Sequence, residues 1–166
     1  MSARNAFAVS VAAFALVLVV AAAELPDRVP MHFDTSGDAD RWAGRTEALV
    51  TFGLLGLFIG GLFGAIAAYA DRVPLMMVNV PHQQWWTADP ERTRSVRLLL
   101  RTDMYWFAAT TLALFSVIVV LTIRAAGLTE PHLDAWFWIA TGLYLAAVAG
   151  YLWYCWRVRY RPEPEG

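Results

Sequence analysis

Residues 48–70 read ALVTFGLLGLFIGGLFGAIAAYA, an apolar run with no Asp, Glu, Lys, Arg or His. A helix rises about 1.5 Å per residue and bonds its own amides, so this stretch can cross a hydrocarbon layer about 30 Å thick. Three further runs of the same kind lie at 6–23, 104–123 and 135–156. The chain is 58% hydrophobic with a mean hydropathy of +0.46, more than a soluble core of 166 residues requires. The expected fold is an all-α integral membrane protein: four transmembrane helices with both termini on one side, and an ordered outer loop between helices 1 and 2.

The first run has a rival reading. Arg4, the apolar stretch and Ala21-Ala22-Ala23 before Glu24 also resemble a cleavable signal peptide. Because the run is longer than a usual signal core, a retained span is the expectation.

Charge sets the orientation. Of the thirteen basic residues, all Arg, nine fall on one side of the four spans, in the N-terminal segment, the 71–103 loop and the 157–166 tail. Arg28, Arg41, Arg45 and Arg124 fall on the other. The positive-inside rule puts both termini and the 71–103 loop in the cytoplasm and the 24–47 loop outside. Exclusive use of Arg reads as GC-rich coding. A net charge of −1 with no long basic run gives no case for nucleic acid. The single cysteine, Cys155, excludes an intrachain disulfide and reads as a small buried thiol.

Small residues recur every four positions in two spans. Gly56, Gly60 and Gly64 share one face with Ala68, and Gly142 and Gly150 share another with Ala146. In lipid, close backbone approach replaces the missing hydrophobic force, so these faces are read as packing within the chain, ahead of a homo-oligomer seam.

The loops carry the remaining signals. In the outer loop Pro26 and Pro30 stop helix propagation, and Asp34-Thr35-Ser36-Gly37 suits a tight turn. Trp42 is placed to pin the returning chain at the interface. In the cytoplasmic loop Asp89 and Pro90 suit an N-cap and first helical position, and Glu91 suits the helix dipole. A short amphipathic helix from about residue 90 would carry Arg92, Arg94, Arg97 and Arg101 into the third span, beside anionic headgroups.

The sharpest chemical reading is a metal site, since His32 with Asp34 and His132 with Asp134 both put imidazole and carboxylate outside. No cysteine partner or close multi-His spacing supports it, and Asp134 suits a cap for the fourth span, so no metal and no cofactor is expected. His82 falls on the opposite side and reads as a polar loop residue. No phosphate-binding loop, nucleophile elbow or zinc-protease helix occurs. The spans hold no charge that would mark an ion path, although Thr110, Thr111, Ser116 and Thr141 leave an uncharged polar path open.

Leu25-Pro26, Pro30, His32-Phe33, Gly37 and Asp40-Arg41-Trp42, followed by Asn79-Val80-Pro81, Trp86 and Pro90-Glu91-Arg92, make the chain resemble the domain-of-unknown-function 1648 family through its third span. It is similar, more distantly, to the N-terminal part of SdpI-type immunity proteins of bacterial membranes. That resemblance implies a non-enzymatic role in the bacterial plasma membrane: immunity against, or sensing of, an envelope-active peptide through the outer loop. An accessory subunit packed against a larger transporter or enzyme is the alternative. The expected partners are the lipid bilayer and a peptide or membrane protein.

Overall fold

A computed structural model describes residues 1–70 and 72–162. Asp71 of the expected cytoplasmic loop and residues 163–166 of the expected tail lie outside the described residues. The elements run α1 (Ala3–Glu24), β1 (Arg28–Phe33), β2 (Ala39–Gly44), α2 (Arg45–Tyr69), a 3-10 turn (Leu75–Met77), α3 (Gln83–Thr87), α4 (Pro90–Ala126), α5 (Ala135–Tyr154) and a π-helical turn (Cys155–Arg159). Among the described residues, four helices are long and apolar enough to cross a membrane, the fourth counted through Arg159. The chain is a multi-pass membrane protein.

One expectation needs correction. The fold is not all-α, because the loop between α1 and α2 is an antiparallel β-hairpin. Pro26 ends the helical option, the DTSG turn reverses the chain, and Val29 and Ala43 pair with both side chains buried. The helix expected from residue 90 carries its arginines directly into the third span, as one 37-residue helix. Asp89 caps it by accepting from the Glu91 and Arg92 amides at 2.7 and 3.1 Å. Those amides, Arg92 first, hold the Asp89 carboxyl below the usual carboxylate range.

Helix α4 is the spine, and α1 and α2 pack along it. Phe14, Ala21, Ala48, Phe52, Leu112 and Val119 form the main buried cluster. The cluster continues through Leu25 and Val29 to the base of the hairpin, so hairpin and helices share one core. The α2 glycines make this packing possible. A Cβ on Gly56 would lie 2.0 Å from the Phe14 ring, on Gly64 3.4 Å from the Phe7 ring, and on Gly60 3.7 Å from Leu112. The α5 glycines differ: a Cβ on Gly142 or Gly150 meets nothing within 4 Å.

Replacing Gly56 by Ala should therefore destabilise the protein by about 1–3 kcal/mol, the usual cost of overpacking, because the Phe14 ring is buried. Gly142→Ala should be neutral or slightly stabilising. Equilibrium unfolding in mixed micelles checks both, and equal effects would refute the assigned packing.

Candidate functional site

The hairpin turn is built around one carboxylate. Asp34 Oδ1 accepts from the amides of Ser36 and Asp38 at 2.9 and 3.0 Å. The Asp34 amide donates to the Asp38 carbonyl at 2.9 Å, and Gly37 turns the chain at φ +92°, a conformation that favours glycine. The Asp38 amide, with the Ser36 contacts next, draws the Asp34 carboxyl below its ordinary value.

Register irregularities follow on each side of His32, which pairs with Arg41 between the Pro30–Trp42 and Phe33–Ala39 pairs. The offsets cancel, and His32 Nδ1 lies 2.6 Å from Asp40 Oδ1. Trp42 is covered by the Arg28 guanidinium, 4.4 Å from its ring centroid.

The turn is sewn to the segment between α4 and α5. The Leu133 amide donates to the Gly37 carbonyl at 2.8 Å, and the Ala39 amide donates to the Pro131 carbonyl at 3.2 Å. Asp38 and His132 form a bridge pair. This stitching roofs a cavity of about 340 Å3 beneath the hairpin. Its floor is apolar, with Phe52 of α2, Ile118 and Leu121 of α4, and Phe137 of α5. The lining also carries His32, Arg124, His132 and Asp134. Arg124 Nη2 stands 3.8 Å from Asp134 Oδ2, a loose pair that leaves the guanidinium largely exposed. Such a space offers area to an apolar group and a few polar contacts to its head.

The sequence-selected residues divide between the two ends of the bundle. Pro30, His32, Asp34, Gly37, Asp40 and Trp42 gather in the hairpin, with Pro26 half-buried just after α1. Asn79, Pro81, Trp86, Pro90, Glu91 and Arg92 lie at the opposite end, away from the cavity. There Trp86 is buried, Arg92 lies 4.2 Å over the Trp85 ring, and Asn79 and Glu91 are exposed. The two His-Asp pairs do come to one end, but each member has its own partner. His32 meets Asp40, Asp34 holds turn amides, and His132 Nδ1 lies 3.0 Å from the Glu130 carbonyl. Asp134 caps α5 through the Trp136 and Phe137 amides. His82, expected as a plain loop residue, precedes α3 at φ +57°.

The expected polar path is divided too. Thr110 and Ser116 bond their own helix, Thr111 also meets the Tyr144 hydroxyl at 2.8 Å, and Thr141 Oγ1 is buried without a partner.

One cluster escaped the sequence reading. Asp103, 5% exposed, sits one residue before the expected third span. Its carboxylate accepts from Arg159 Nε at 2.9 and 3.1 Å and pairs with Arg159 Nη2 at 2.7 Å. It also accepts from the Tyr151 hydroxyl at 2.8 Å and the Tyr160 hydroxyl at 2.6 Å. The π-helical turn precedes Tyr160, whose carbonyl accepts from Trp86 Nε1 at 3.2 Å. Burial first, and the Asp103 bond next, push the Tyr160 hydroxyl far above its ordinary value. Cys155 is half-buried rather than buried, its Sγ 4.0 Å from Asp103 Oδ2. The available signal was spacing: Asp103 follows buried Val96 by seven residues, two helical turns, so both share one face.

Two predictions follow from these carboxylates. A depressed folded-state value means the Asp34 contribution to the turn is present above the ordinary value of 3.8 and lost as pH falls through the lowered one. Exchange at the Ser36 and Asp38 amides, corrected for intrinsic rate, should accelerate on acidification through that window, and Asp34→Ala should remove the transition. Asp103→Ala should cost about 2–3 kcal/mol, because it leaves the partly buried Arg159 and two tyrosine hydroxyls without their acceptor, whereas Asp103→Leu combined with Arg159→Met should recover much of that loss. Micelle unfolding of the single and double variants measures both costs.

Residues 8–58 match the family model described as Domain of unknown function (DUF1648). The matched segment is shorter than expected: it covers most of α1, the hairpin and the first half of α2, and leaves the second-loop motif outside. No match was found among curated proteins, and none among solved structures. The hairpin that roofs the cavity thus lies within the segment that matches this family model.

Proposed function

We propose that this is a non-enzymatic membrane sensor or immunity protein that takes up an amphipathic, membrane-partitioned ligand, such as an envelope-active peptide, in the hairpin cavity. The cavity carries this reading. Its apolar floor and its rim of Arg124, Asp134 and two histidines match a molecule with one greasy and one polar end. The distribution of arginines supports a hairpin outside a bacterial plasma membrane and termini in the cytoplasm. An open space of this volume suits binding, and the nearby carboxylates are committed to turn, cap and pair contacts.

A second reading, an accessory subunit packed against a larger membrane complex, is favoured by α5. None of its residues is buried, and its Gly142 and Gly150 face is open. A larger protein retained through purification in mild detergent, and lost with Gly142→Leu, would establish that alternative.

Deleting the gene should alter survival against one or more envelope-active peptides, and the parental gene should restore it. Leu121→Trp, which fills the cavity floor, should insert normally but fail to restore. Unchanged survival across a broad peptide panel, or full rescue by Leu121→Trp, contradicts the proposal.

A further inference from the structure

We infer that α5 is a lever joining the hairpin cavity to the Asp103 cluster, so that displacement at one end of the helix loosens the other. The inference rests on the cavity being the ligand site only for its biological meaning; the mechanics stand on α5 itself.

Helix α5 has no buried residue, and its glycines lack the close approach that fixes α2 against α1. In lipid, helices are held together by packing and by interhelical hydrogen bonds, and α5 has little of the first. Polar fastenings therefore set its position, at three levels. At the hairpin end, the Leu133 amide and the Pro131 carbonyl are bonded to Gly37 and Ala39. Midway, Tyr144 is bonded to Thr111 at 2.8 Å. At the far end, Tyr151, Arg159 and Tyr160 converge on Asp103.

Between the middle and far fastenings lies a second space of about 240 Å3, lined by Trp106, Phe107 and Thr110 of α4 and by Tyr144, Val148 and Tyr151 of α5. A 20-residue helix is about 30 Å long and moves as a body. With Tyr144 as pivot, a ligand that pushes Phe137 away from the α4 side of the cavity tilts the helix and strains the Asp103 contacts.

Cys155, the chain's single cysteine, stands within that cluster and reports its opening. The full chain in lipid nanodiscs would be treated with a small water-soluble maleimide. Asp103→Asn sets the rate for a loosened cluster. Leu133→Pro removes the amide that bonds Gly37 and keeps the Asp134 cap, and Ala39→Pro removes the amide that bonds Pro131. Each should raise the Cys155 labelling rate about fivefold, the lower end of usual coupling between sites.

The reciprocal measurement needs no substitution: labelling Cys155 with a bulky maleimide should speed deuterium exchange at the Leu133 and Ala39 amides by a similar factor. Rates equal to the parent in both proline variants, or unchanged exchange after labelling, would overturn the lever. So would an Asp103→Asn rate no faster than the parent. Because no ligand enters either measurement, their failure is distinct from failure of the cavity as a binding site.

Discussion

Lipid removes the force that drives apolar helices together in water, so each helix in this chain is held by whatever it has instead. For α1, α2 and α4 that is side-chain packing into the notches left by glycine. Gly56 leaves room for Phe14, Gly64 for Phe7 and Gly60 for Leu112, and the 37-residue α4 gives α1 and α2 a common surface. The hairpin belongs to the same body, because Leu25 and Val29 carry the buried cluster from the helices into its base.

The fourth span is held differently, and the proposed function follows from that difference. It is tied by hydrogen bonds to the hairpin turn, by one hydroxyl pair in mid-membrane, and by a buried carboxylate at the arginine-rich end. Helices fastened at points leave gaps between points. The larger gap lies under the hairpin, where ring edges and aliphatic side chains meet a charged rim. An ion pair on a buried carboxylate adds little net stability over apolar packing, but removing one partner is costly, which makes Asp103 with the partly buried Arg159 a specific fastening.

Much of this was legible in the sequence. Uninterrupted apolar runs locate spans because only a self-bonded backbone survives in hydrocarbon, and the α2 glycines declared a packing face because their spacing matches the helix. Asp34 and Gly37 announced the turn, and Asp89, Pro90 and Asp134 announced the caps, since each acts on amides a few residues away. What stayed hidden was non-local. The strands are six residues each, one interrupted by Pro30, and their pairing depends on contact with the helix bundle. The α5 glycines look like those of α2, yet only the partner surface decides whether a small residue is used. Asp103 and Arg159 stand 56 positions apart, so no local pattern joins them.

The central claim is that the space beneath the hairpin is a binding site and not a lipid-filled gap. Photo-crosslinking tests it most directly, with a photoreactive side chain at position 121 on the cavity floor and a control at position 143, on the exposed face of α5. Mass spectrometry of the adducts formed in the native membrane should show, at position 121, an amphipathic molecule absent from position 143. Adducts of bulk lipid alone, in the same proportions at both positions, would contradict the claim.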